Sequence, residues 1–146
     1  MKNSKRLAYQ KNSEMASEIF KDLNLNHMGI IIPKNKKNFI ESKTGEKFIE
    51  DNIQGVSVCF VWDETIDTYK EFITKEGRAK NYSLGFNHLC FDIENKEEMK
   101  VFHNRVIKNK IGLRLTLPEP SPTKQCNIVT FYKLYGLGIF EFNILE

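Results

Sequence analysis

Residues 25–32 read LNHMGIII, an apolar and β-branched run closed by Pro33, too short and too rich in Ile for a helix; the pattern predicts a strand. Residues 35–46 are polar but carry Phe39 and Ile40 and end at Gly45, which predicts a short helix. Residues 46–49 and GVSVCFVW at 55–62 predict two further strands, and TIDTY a short one after Glu64. The next stretch, 70–84, is polar and ends in the turn signal SLGF, as a linker would. Beyond it the order returns. FNHLCFDI at 86–93 predicts a strand, and 95–108 a helix with Met99, Phe102, Val106 and Ile107 on one face. Strands at 113–117, 127–134 and 137–145 follow, the first two separated by the proline-rich PEPSPT.

Both halves therefore read strand, helix, then three strands, an internal repeat with a period of about 60 residues. The expected fold class is α+β: two paired βαβββ modules forming a concave mixed sheet around a cavity, with an N-terminal helical extension. Residues 1–24 are the extension, where Met15, Ala16, Ile19, Phe20 and Leu23 are spaced by three and four. Residues 25–146 are a single domain: module 1 at about 25–70, a linker at about 71–84, and module 2 at about 85–146.

Two of the three histidines follow asparagine at the same place in the two repeats. Side chains alternate along a strand, so His27 is expected to share a face with Leu25, Gly29 and Ile31, and His88 with Phe86, Cys90 and Asp92. The opposite faces, Met28, Ile30 and Ile32, and Leu89, Phe91 and Ile93, are expected to pack under the helix of their own half. Repeat symmetry then places both imidazoles on one cavity wall, where a metal fits; the alternative for each is a hydrogen-bonded side chain without an ion. Two imidazoles alone hold a divalent ion weakly, and carboxylates stand at positions read as repeat-equivalent, Asp67 in TIDTY and Glu141 in LGIFEF. Glu141 lies between Phe140 and Phe142, and a carboxylate inside an apolar strand is costly unless paired or metal-bound. His103, in KVFHNRV, reads as a solvated helix residue.

Composition narrows the classes. The net charge of +3 comes from scattered lysines, which points to solubility rather than nucleic-acid binding. Three cysteines with no C-x-x-C pair suit buried thiols in a reduced, cytoplasmic chain. No segment approaches the roughly 18 apolar residues of a spanning helix, and the N-terminus has no continuous apolar signal core, so no membrane is expected.

From Leu25 to the end, and most specifically from GFNHLCFDI to FYKLYGLGIFEF, the chain resembles the vicinal oxygen chelate superfamily of glyoxalases, methylmalonyl-CoA epimerases and extradiol dioxygenases. The resemblance implies one divalent ion (Zn, Ni, Co or Mn) held by His27, Asp67, His88 and Glu141, with Asp67 one methylene shorter than the family's usual third ligand. It also implies a lyase or isomerase that moves a proton between adjacent carbons through an enediolate of a thioester or hemithioacetal, with Glu141 detaching to act as base. The catalytic glutamate of epimerases falls near Val58, which counts against a two-base mechanism. Two other readings stand beside this one: a non-haem iron dioxygenase, and a non-catalytic sequestering module whose groove Trp62, Tyr69, Tyr132 and Tyr135 line. The loop LPEPSPTKQC is expected to border the cavity mouth, with Arg114 and Lys124 meeting an anionic tail of a small-molecule substrate, and a homodimer is implied.

Overall fold

The computed structural model describes residues 20–146, so Met15, Ala16 and Ile19 of the expected extension lie outside the described residues. Module 1 comprises β1 (Asn24–Ile32), α1 (Lys37–Thr44), β2 (Ile49–Asp51), β3 (Val56–Asp63) and β4 (Thr68–Thr74). Module 2 comprises β5 (Gly85–Ile93), α2 (Lys96–Lys108), β6 (Gly112–Arg114), β7 (Glu119–Pro120), β8 (Ile128–Leu134) and β9 (Gly138–Ile144). The strands form one mixed sheet in the order β2-β3-β4-β1-β5-β9-β8-β6, with β7 added on β8. At its centre β1 and β5 pair antiparallel, while β1 with β4 and β5 with β9 pair parallel. Each half thus runs outward from the centre in the same order, which is the paired βαβββ arrangement expected from the repeat.

The larger core lies under α2. Asn95 caps this helix by accepting from the Glu98 amide, and Glu97 and Glu98 at its start and Arg105 and Lys108 at its end suit the helix dipole. Met99, Phe102 and Val106 are buried against Ile93, Tyr132, Phe140, Phe142 and Ile144. Phe20 joins them, its ring 4.8 Å from Phe91 and 4.7 Å from Phe140. Ile107, expected on the same face, is exposed.

Module 1 departs from expectation in two places. Its helix α1 buries none of its residues, whereas α2 buries three; Met28 and Ile30 are half-buried, as Leu89 and Phe91 are in module 2. Strand β4 also begins later and ends later than the pattern suggested. Residues 64–67 form a turn in which Asp67 takes a left-handed φ of 52°, a conformation that Asp tolerates better than most residues. The strand then runs through Thr74, four residues into the expected linker. Lys70 and Glu71 disguised it as polar loop, although Lys70 is paired with Asp63 at 2.9 Å and Glu71 is buried.

Candidate metal centre

Asn26 and Asn87, the residues before the two histidines, fall at the two irregularities of the central β1–β5 ladder. Leu25 pairs with Phe91 and His27 with Cys90, which leaves Asn26 unpaired; Gly29 pairs with His88 and Ile30 with Phe86, which leaves Asn87 unpaired. A bulge breaks strict alternation and re-aims side chains. Asn26 and His27 are consequently both buried, whereas Leu25, expected on the histidine face, is exposed.

Each asparagine then sets the state of its histidine. The Asn26 amide donates to Asp92 Oδ1 at 2.9 Å and to the Gln125 carbonyl at 3.3 Å, which turns its oxygen toward His27 Nδ1 at 2.7 Å. Asn143 donates to the same Asp92 oxygen at 2.9 Å and holds it in place. Asn87 Oδ1 stands 2.9 Å from His88 Nδ1. An amide oxygen only accepts, so both Nδ1 atoms carry the hydrogen and both Nε2 atoms present lone pairs.

Opposite these lone pairs are two carboxylates, Glu141 as expected and Glu71 in place of Asp67. His27 pairs across β1–β4 with Tyr69, and Glu71 stands two residues beyond; His88 pairs across β5–β9 with Ile139, and Glu141 stands two residues beyond. The two glutamates are therefore equivalent under the repeat. Asp67 is exposed in its turn and takes no part. A cue is present in the chain: Glu-Phe occurs in both YKEFIT and IFEFNI, but the lysine before Glu71 breaks the apolar run that marks Glu141.

Glu141 Oε1 lies 2.9 Å from His27 Nε2 and 3.2 Å from His88 Nε2, and Glu71 Oε1 lies 3.3 Å and 3.8 Å from the same two atoms. Ligands about 2.1 Å from one ion at tetrahedral or octahedral angles are separated by about 3.0–3.4 Å, so these spacings suit a single cation. The chemistry of the donors points the same way. Four buried groups converge within 4.8 Å, and in the tautomers described all four are acceptors. His27 Nε2, completely buried, has no hydrogen-bond partner despite its 2.9 Å approach to Glu141. Without a metal, a proton must take the cation's place. Burial alone would lower the pKa of His27, but the charge of Glu71 and the contacts with Cys126 and Glu141 outweigh it and hold the imidazole well above its ordinary range. Burial would raise Glu141, yet the two imidazoles hold it far below the usual carboxylate range.

Gly29 makes room for this geometry: a Cβ there would overlap the ring of His88. Gly29→Ala is expected to push that ring aside, costing about 1–3 kcal/mol of stability and lowering metal affinity at least about tenfold. Thermal unfolding and a competition titration against a chromophoric chelator measure the two effects.

The remaining expected site residues lie elsewhere. Arg114 is on the helix side of the sheet, lining a hollow of about 470 Å³ with Met99, His103, Tyr132 and Ile144. His103 is half-buried there, Nδ1 2.7 Å from the Tyr132 hydroxyl, rather than a solvated helix residue. Tyr132 itself is fully buried in the α2 core and cannot share a groove with Trp62 and Tyr69. Lys124 is exposed in the loop that packs on Asn26. The hollow beside the four converging groups is smaller, about 60 Å³, and its wall includes Glu71, His88, Arg78, Val58, Ile73 and Phe131. All three cysteines are free and buried, as expected, and among the described residues no helix is long and apolar enough to cross a membrane.

No protein-family model and no curated protein matches the chain. Solved structures do. A hypothetical protein from Bacillus halodurans C-125 is 18% identical, with a TM-score of 0.61 over 86% of this chain and 96% of that one. Methylmalonyl-CoA epimerase from Mycobacterium tuberculosis is 12% identical, with a TM-score of 0.58 over 82% and 86%. Streptomyces coelicolor methylmalonyl-CoA epimerase in complex with 2-nitronate-propionyl-CoA is 15% identical, with a TM-score of 0.53 over 81% and 94%. At such identities the likeness is one of fold, and the fold is the one these epimerases share.

Proposed function

We propose that His27, Glu71, His88 and Glu141 hold one divalent ion, Zn, Ni, Co or Mn, and that the chain is an isomerase or lyase moving a proton between adjacent carbons of a small substrate with vicinal oxygens. The observation that carries this reading is the convergence of four buried acceptors with no donor among them. When bound, the ion supplies polarisation of the substrate oxygens.

The two glutamates have different roles in this proposal. Glu141 is locked against both imidazoles at 2.9 and 3.2 Å and is absent from the cavity wall, which suits a fixed ligand. Glu71 makes the longer contacts and lines the cavity, so it is the carboxylate placed to take a proton from a substrate carbon and return it. This reverses the expectation that Glu141 detaches. Val58, buried in the cavity wall where the second base of an epimerase would fall, supplies no proton acceptor. One carboxylate moving one proton suits a hemithioacetal lyase or a one-base isomerase of an acyl thioester better than a two-base epimerase.

The test is incubation of metal-loaded protein in D₂O with hemithioacetals and acyl thioesters, followed by mass spectrometry of the recovered compounds. Deuterium at the carbon next to the carbonyl, dependent on the ion, is the expected result. A loaded protein that exchanges none of them sinks the catalytic reading.

A further inference from the structure

The cavity beside the four ligands has an apolar wall built from Ile31, Val58, Ile73 and Phe131, and Arg78 is the one arginine or lysine among its described lining residues. Its position is built rather than incidental. Arg78 stands in the 3₁₀ turn Gly77–Ala79, its amide donates to the Gln54 carbonyl at 2.9 Å, and Gly77 takes a left-handed φ of 50°. A Cβ on Gly77 would collide with the carbonyl oxygen of Gly55, so the close seating of the two turns requires glycine there.

From this seat between the two modules the guanidinium reaches Glu119 of module 2, with Nη1 2.8 Å from Oε2 and Nη2 3.1 Å from Oε1. Glu119 sits in β7, inside the proline-rich loop expected at the cavity mouth. Leu115 and Thr116, just before this loop, are fastened to Phe131, and the Arg78–Glu119 pair ties the loop across the cavity, as the Asn26–Gln125 contacts tie its far end to β1. Both side chains are partly exposed, 45% and 27%, and a partly exposed ion pair is weak enough to exchange partners.

The charge of the centre leaves Arg78 a task. A divalent ion with two glutamates is neutral overall, so the centre itself has no excess positive charge with which to select an anion. A guanidinium holding a carboxylate in a two-pronged grip is already arranged for that recognition. Resting on the metal-dependent reading above, we infer that Arg78 recognises a carboxylate on the substrate, set back from the vicinal oxygens, and that Glu119 holds the guanidinium in place until the substrate exchanges for it. The substrate class is thereby narrowed to carboxylate-bearing molecules, and neither Arg114 nor Lys124 is needed.

The experiment uses the full chain loaded with Co(II), whose visible spectrum reports oxygen ligands entering its coordination shell. Acetohydroxamate and succinic monohydroxamate offer the same chelating oxygens, and only the second carries a carboxylate. Wild type is expected to prefer succinic monohydroxamate by about tenfold or more, the size of one charge-assisted bidentate contact. Arg78→Gln should abolish that preference and leave acetohydroxamate affinity within about twofold, with an unchanged cobalt spectrum as proof of folding. Glu119→Gln, which frees the guanidinium, should strengthen succinic monohydroxamate alone. A wild-type preference that persists in Arg78→Gln, a wild type with no preference, or no gain in Glu119→Gln overturns the inference. Absence of any cobalt spectrum in wild type instead removes the metal reading, before either hydroxamate is added.

Discussion

Replacing His27 and His88 together by Ala is expected to leave purified protein without a divalent ion, where wild type carries about one per chain. Both imidazoles are fully buried and each is aimed by its own asparagine, and His103, the third histidine, lies on the helix side of the sheet away from them. Losing a supporting partner of a ligand costs about 10- to 100-fold in affinity, the effect expected of Asn26→Ala, and losing both ligands costs far more. The double variant also leaves Glu71 and Glu141 facing one another without the imidazoles, and buried like charges relieve this by taking up a proton. Plasma mass spectrometry of protein prepared without chelator or nickel resin gives the metal content. Thermal unfolding gives a second reading: an ion at 100 times its Kd adds about 2.7 kcal/mol to wild type and nothing to the variant. Because burial is outweighed by the charge of Glu71 and the contacts with Cys126 and Glu141, which hold the His27 pKa above its ordinary value in the metal-free site, a proton competes with the ion for that imidazole. Apparent affinity should therefore fall as pH falls, and calorimetry in buffers of different ionisation enthalpy should show proton release on binding. A variant that keeps its ion, or a binding enthalpy indifferent to buffer, would contradict the assignment.

Glu71→Gln is expected to lower turnover by about 10²- to 10⁴-fold, the usual contribution of a positioned base. The amide keeps an oxygen for the ion, so metal content should fall much less than in Glu141→Gln, whose carboxylate touches both imidazoles. The two variants thus separate the roles. If Glu71→Gln exchanges deuterium at the wild-type rate and Glu141→Gln does not, while both keep their ion, the roles are reversed.

Repetition made most of the fold legible. The order strand, helix, three strands appears twice in the hydrophobic pattern, and two asparagine-histidine pairs stand at matching places in the strands that the structure pairs at the centre. Glu141 was legible for a related reason, since a charge flanked by two phenylalanines in a strand has little alternative but a buried partner. Glu71 was not: the lysine beside it matched the pattern of a loop, and only the sheet shows Lys70 paired with Asp63 while its neighbour turns inward. Glu71 consequently stands at the centre in place of Asp67, which the chain uses to make a turn.

The chain by itself determined the repeat, the two histidines and one of the two carboxylates, because periodicity and the cost of burying a charge are local properties that spacing records. Tertiary structure alone decided the rest. The register of β1 against β4 selects Glu71, the bulges at Asn26 and Asn87 turn both imidazoles so that Nε2 faces the centre, and a turn seated on Gly77 brings Arg78 to the cavity. Each depends on how two separate strands or turns meet, and a hydrophobic pattern records which face a residue takes without recording what stands across from it.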